Sequence, residues 1–340
     1  MASEEARRFW AVMRAQPKDA NPTVEQRRQG DEYAEVLSSE PVGVAFAPAP
    51  AVNGLWAEPP SARPGAAILY FYGGGYVLGA PISRRKTAGH LALAAQARAL
   101  IPTYRLAPEH PFPAAIEDAV AAYQWLLAEG AEPARVALVG DSAGGGLALA
   151  TALALRDRGI ARPAGVVTIS LWGDMTCSGE TMETRAHTDI CCSRDGLFEL
   201  AGMYLAGADP RHPLVSPVFA DLSGLPPLLC IVGGEERLID DSVRAVRAAG
   251  QAGVDAMLFV AAEMQHVFPI WAGAFPEADE TIRLIGNWIR ARATENSKAR
   301  RRQRATPWRR SSALSLRQAG QPLSDRRLAI FLFPSGFPMF

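Results

Sequence analysis

The sequence predicts an α/β protein built on a mostly parallel, doubly wound sheet. Two observations carry this. After the first sixty or so residues the chain repeats one pattern, an apolar run, a cluster of turn residues, then a helical stretch. The apolar runs are continuous rather than alternating, as expected of strands covered on both faces. Strands separated by helices in this way give parallel pairing with helices on either side of the sheet.

Taken in order, residues 1–38 read as amphipathic helix, with Phe9, Trp10, Val12 and Met13 on one apolar side and breaks near Pro17 and Pro22. V-G-V-A-F-A and V-N-G-L-W-A then form a short hairpin pair. Strand runs follow at 66–72, 99–103, 135–139, 165–170, 227–232 and 256–260, with helices expected at 84–98, 114–129, 145–158, 241–252 and 277–292. The stretch 174–220, after the sixth strand, is too long for a simple crossover. Together with the N-terminal helices it is expected to cap the C-terminal edge of the sheet, where ligands bind in such folds. The expected organisation is therefore cap helices over 1–40, a catalytic domain over 41–293 with a cap contribution from about 174–220, and a tail over 294–340.

Composition narrows the classes. The 340 residues are 49% hydrophobic and 21% charged, ordinary for a soluble globular protein. No apolar run approaches ~18 residues, so no membrane span is expected, and M-A-S-E-E-A-R-R-F-W lacks the apolar core of a signal peptide. A cytoplasmic location is the expectation. The net charge of zero hides an asymmetry: residues 294–340 hold ten Lys/Arg against two acids, leaving 25 basic against 33 acidic residues in the first 293. R-R-R-Q-R invites a nucleic-acid reading, but the tail has no interleaved aromatics, no zinc spacing and no long amphipathic period. It reads as a disordered appendage, and no nucleic-acid partner is expected. Cys177, Cys191, Cys192 and Cys230 match no metal-ligand spacing, and the adjacent pair is not expected to bridge. Neither metal nor cofactor is expected.

The chemistry is carried by three segments. Gly140-Asp141-Ser142-Ala143-Gly144 is G-x-S-x-G between an expected strand and an expected helix, the setting of a nucleophile elbow. The helix N-terminus at Ser142 favours developing negative charge. Attack by a serine creates a tetrahedral oxyanion, which needs backbone N–H donors aimed at one point. Ala143 supplies one. Y-G-G-G-Y-V-L-G, following the strand at 66–72, supplies the rest: Gly73, Gly74 and Gly75 bear no side chain, so their N–H groups can meet the substrate. The base is His266 in M-Q-H-V-F, because of the five histidines it alone lies beyond the last strand. The acid lies in V-G-G-E-E-R-L-I-D-D-S, where Glu235, Glu236, Asp240 and Asp241 all qualify. Asp240 and Asp241, near the start of the next helix, suit capping or dipole roles.

With these segments, and with Y-R-L-A-P-E-H-P-F-P-A-A and A-D-L-S-G-L-P-P-L-L, the chain resembles the hormone-sensitive-lipase-like (family IV) carboxylesterases over residues 30–293. The resemblance implies the α/β-hydrolase fold and a triad of Ser142, Glu236 and His266, the acid standing thirty residues before the base. It implies oxyanion donors at Gly74, Gly75 and Ala143, a mobile N-terminal cap, and often a homodimer through the last strand. The implied activity is cofactor-free hydrolysis of short- to medium-chain acyl esters. A monoterpene-type lactone is an alternative substrate for the same apparatus. A non-catalytic receptor on the same fold would lack the base, so His266 speaks against it. Three positions depart from the family pattern. Tyr72 stands where His usually braces the glycine loop, Thr103 replaces a buried Asp, and Leu171 and Gly173 replace a Pro and a bulkier residue.

Overall fold

The computed structural model describes residues 1–16 and 22–305. Eight strands form one sheet: β1 (Ala45–Ala49), β2 (Gly54–Glu58), β3 (Ala67–Phe71), β4 (Arg98–Ile101), β5 (Val136–Asp141), β6 (Gly165–Ile169), β7 (Leu228–Gly233) and β8 (Ala256–Ala261). Their spatial order is β1-β2-β4-β3-β5-β6-β7-β8. The hairpin joins β4 through antiparallel β2, and every pair from β4 to β8 is parallel. β3, β5, β6 and β7 are buried along their whole length, which is why their sequences show no alternation.

Between the strands lie α3 (Arg85–Ala95), α4 (Ala114–Ala128), α5 (Ala143–Asp157) and α8 (Ile239–Gln251), and α9 (Pro276–Ala305) follows β8. α3 packs on α9, and α4 on α5. The helix expected over 84–98 stops at Ala95 because Gln96 takes a left-handed conformation (φ 52°) and turns the chain into β4. α5 begins at Ala143, earlier than expected, since the serine turn leads straight into it.

The N-terminal segment forms α1 (Glu4–Ala15) and α2 (Val24–Tyr33). α1 is capped by Ser3, whose hydroxyl also donates to Glu277 of α9 at 2.8 Å. Phe9 packs on Trp271 and Phe275, with ring centroids 5.4 and 5.2 Å apart. Arg28 of α2 donates to the carbonyls of Val77 and Ala107 at 2.9 and 3.0 Å, tying that helix to the glycine loop. The stretch between β6 and β7 carries α6 (Thr181–Thr184) and α7 (Arg194–Leu205), and Glu199 of α7 pairs with Arg27 of α2 at 3.0 Å. At the other end α9 runs on through Ala305, past the boundary expected at residue 294; the tail reading for 306–340 falls outside the described residues. Among the described residues no helix is long and apolar enough to cross a membrane, and no group of three His, Cys, Asp or Glu side chains could hold a metal ion.

Candidate active site

The elbow is built as its glycines require. Ser142 sits at φ 54°, ψ −121°, a conformation costly for any residue but glycine. A Cβ on Gly140 would lie 2.1 Å from the Gly144 carbonyl oxygen, and one on Gly144 2.1 Å from that of Phe71. No other residue type fits either position. The turn is pinned from outside: Ser142 N–H donates to Ile169 O at 2.8 Å, and its carbonyl accepts from Trp172 N–H at 3.1 Å.

His266 follows β8 and lies 7% exposed. Its Nε2 is 2.9 Å from Ser142 Oγ, and its Nδ1 is 2.9 Å from Glu236 Oε2. The other oxygen of Glu236 accepts from Ser170 Oγ at 2.6 Å and from Gly233 N–H at 2.5 Å, so the fully buried carboxylate is satisfied on both sides. Burial opposes charge on His266, but its contacts with Cys192 and Glu236 outweigh burial and hold the imidazolium well above the ordinary histidine range. Burial keeps the Cys192 thiol neutral by raising it. The lasting cause is therefore Glu236.

The four neighbouring acids separate cleanly. Glu235 faces Arg185 at 3.8 Å, on the far side of the turn. Asp240 and Asp241 stand in the first turn of α8 and bond mainly outward: Asp240 accepts from Thr181 N–H and Asp241 from Gly173 N–H, both at 2.8 Å, while Asp241 also accepts from Arg244 Nη2 of its own helix at 2.8 Å. Burial pushes Asp241 up to about 7, with Arg244 opposing. Glu236 alone reaches the imidazole.

Three close approaches explain three consecutive glycines. A Cβ on Gly73 would strike Asp141 Oδ2 at 2.5 Å, one on Gly74 the Leu78 carbonyl oxygen at 2.4 Å, and one on Gly75 the Leu200 side chain of α7 at 2.6 Å. Gly74 and Gly75 also hold φ of 114° and 65°. Among the described residues, no hydrogen bond uses the N–H of Gly73, Gly74, Gly75 or Ala143 as donor. Tyr72 is fully buried and stacks on Tyr104 with centroids 4.3 Å apart. Its hydroxyl engages the Tyr104 backbone at 3.3 and 3.4 Å, while Tyr104 Oη donates to Tyr72 O at 2.7 Å. The brace thus runs between two loops and does not touch the glycines through the hydroxyl. Thr103 bonds the hairpin turn at Asn53 and is only half-buried, so it does not stand in for a buried carboxylate.

Sequence reasoning missed four supporting residues. Ser170, at φ 53°, accepts from Val267 N–H at 2.8 Å while donating to Glu236, linking acid loop to base loop. Asp189 accepts from the N–H groups of Cys191, Cys192 and Arg237, all at 2.8 Å. Gln265 binds Ile190 N–H at 3.1 Å and Thr188 O at 2.9 Å. Cys192 is brought to His266 by these bonds. The readable signal was slight: Ser170 ends a strand run, and Asp189 lies in a stretch with no period.

The model of the alpha/beta hydrolase fold family matches residues 68–270. An acetyl-hydrolase of Streptomyces hygroscopicus is 46% identical over 239 residues, covering 70% of this chain and 80% of that protein. The crystal structure of an esterase from the bacterial hormone-sensitive lipase family superposes with a TM-score of 0.81 at 41% identity, covering 86% of this chain and 99% of the other. A crystal structure of EstE5 soaked with p-nitrophenyl butyrate gives a TM-score of 0.81 at 40% identity, covering 86% and 100%. The chain belongs to the hormone-sensitive-lipase-like family of α/β-hydrolases, a family of esterases.

Proposed function

We propose that the chain is a serine carboxylester hydrolase for short- to medium-chain acyl esters, working through an acyl-enzyme. The observation that carries this reading is the unbroken hydrogen-bond chain from Ser142 Oγ through His266 to Glu236. Ser142 Oγ attacks the ester carbonyl carbon as its proton passes to His266 Nε2. The oxyanion meets the N–H groups of Gly74, Gly75 and Ala143, with Gly73 backing the loop against the elbow. Collapse breaks the bond to the alcohol, which takes the proton from Nε2. Water then gives its proton to Nε2, attacks the acyl carbon and releases the acid, returning the proton to Ser142. Glu236 stabilises the imidazolium in both halves and stays ionised.

A short acyl group suits the site because Leu200 lies directly over Gly75. The acetyl-hydrolase and the EstE5 soaked with p-nitrophenyl butyrate among its relatives point the same way. The test is hydrolysis of p-nitrophenyl esters from acetyl to dodecanoyl. The expected result is a maximum at short to medium chains and a loss of about four to six orders of magnitude in Ser142→Ala. Full activity in Ser142→Ala would overturn the reading.

A further inference from the structure

Beneath the elbow lies a buried ion-pair network that none of these steps uses. Asp141, the residue before the nucleophile, is fully buried. Its Oδ1 accepts from Tyr70 Oη at 2.8 Å, and its Oδ2 accepts from Arg84 Nε at 3.0 Å. Arg84 is 5% exposed, and its Nη2 also donates to Asp31 of α2 at 3.2 Å. Its Nη1 donates to Ser83 O at 3.0 Å.

The carboxylate's position is the unusual feature. Asp141 Oδ2 lies so close to the Gly73 backbone that a Cβ there would be 2.5 Å away. A fixed negative charge is thus placed against the loop whose N–H groups are to meet a developing oxyanion. At an effective dielectric of ~20, like charges about 6–12 Å apart oppose each other by roughly one to two orders of magnitude in rate. The cation that cancels it arrives at the end of the same loop segment, after Gly79. It also reaches the cap helix α2, so docking of that helix holds the guanidinium in place.

We propose that Arg84 is a positioning residue for ester hydrolysis: it neutralises the Asp141 carboxylate under the oxyanion loop and couples that neutralisation to the docking of α2. This rests on the serine-esterase reading above. A buried pair kept only for packing would behave differently, because breaking it from either side would then cost alike.

The experiment compares Arg84→Met, Arg84→Lys, Asp141→Asn and Arg84→Met/Asp141→Asn. It uses p-nitrophenyl butyrate with active sites titrated, and reads kcat and KM separately. Arg84→Met should lower kcat at least about tenfold with KM within about threefold. Arg84→Lys, which keeps the charge, should recover most of that loss. Adding Asp141→Asn to Arg84→Met should bring kcat back to within about threefold of the parent, since no charge is left to cancel. Two results overturn the proposal: a double variant as slow as Arg84→Met, or an Asp141→Asn loss equal to that of Arg84→Met. Should Arg84→Met fail to fold, the double variant is compared with Asp141→Asn alone. A loss below about threefold supports the proposal there, and a tenfold loss overturns it. Failure of these comparisons in an enzyme that Ser142→Ala silences would remove only this inference and leave the esterase reading standing.

Discussion

Ser142 can act as a nucleophile only when His266 is neutral, and this fixes the sign of the pH dependence. Glu236 holds the imidazolium above its ordinary range against burial, so kcat/KM should climb with pH and level off only above about 6.5. Glu236→Gln should move the midpoint down, because an amide cannot favour the cation, and lower the plateau by roughly three to four orders of magnitude. An unmoved midpoint in a pH–rate profile would show that another group carries the charge. Glu235→Gln should keep at least about a tenth of activity, as its carboxylate faces Arg185. Ser170→Ala removes a donor to Glu236 and strands Val267 N–H. Its kcat should fall about tenfold with little change in KM, and a thermal melt should show a loss of about 1–3 kcal/mol. At this scale the sequence alone was ambiguous where chemistry was degenerate. Four carboxylates within a few residues look alike on paper, and only the bend after Gly233 decides which one faces the histidine.

The elements divide by what holds them. β3, β5, β6 and β7 were legible because each is a continuous apolar run, and burial on both faces leaves no other reading. The end of α3 fell short of its expected bound where a single backbone conformation intervened, at Gln96. The stretch between β6 and β7 was not legible because its order comes from side chains bonding backbone rather than from periodicity. Asp174 accepts from Thr176 and Ser178, Asp209 from Arg211 N–H, and Asp189 bridges two turns at once. Most of the local ones have the i to i+2 spacing of Asx turns, which leaves no period in the apolar pattern, and the long-range ones have no spacing at all. Asp189 joins the turn before α7 to the residue after Glu236, while Gln265, beside His266, grips the same turn. Asp189→Ala should therefore loosen acid and base loops together. The expected result is a fall in kcat of about tenfold and faster amide exchange at 188–192 and 235–237. Wild-type turnover with unchanged exchange would show that the insertion merely covers the site.

Across the whole molecule, the sheet ends in two edge strands, β1 and β8. On one side the hairpin adds β1 and β2 to β4; on the other, β8 pairs only with β7 and ends the order. The unpaired backbone of β8 is an edge of the kind that invites strand addition, and Met257 and Val260, on opposite faces of that strand, remain 41% and 44% exposed. The proposal for this edge is a second copy of the chain, the pairing implied by the family resemblance. A twofold axis would set the two β8 strands side by side and continue the sheet across both protomers. The consequence reaches the site, since His266 stands on the loop that β8 feeds, and an edge strand held on both sides frays less. Light scattering at tens of micromolar should give twice the 36.4 kDa chain mass. Met257→Asp/Val260→Asp should give a monomer with the same far-ultraviolet spectrum, because like charges would face one another across the axis. Its melting temperature should drop by several degrees and become independent of protein concentration. A wild-type chain that scatters as a monomer, with a melting point already independent of concentration, would leave β8 a free edge and remove the dimer from the account without touching Ser142 or His266.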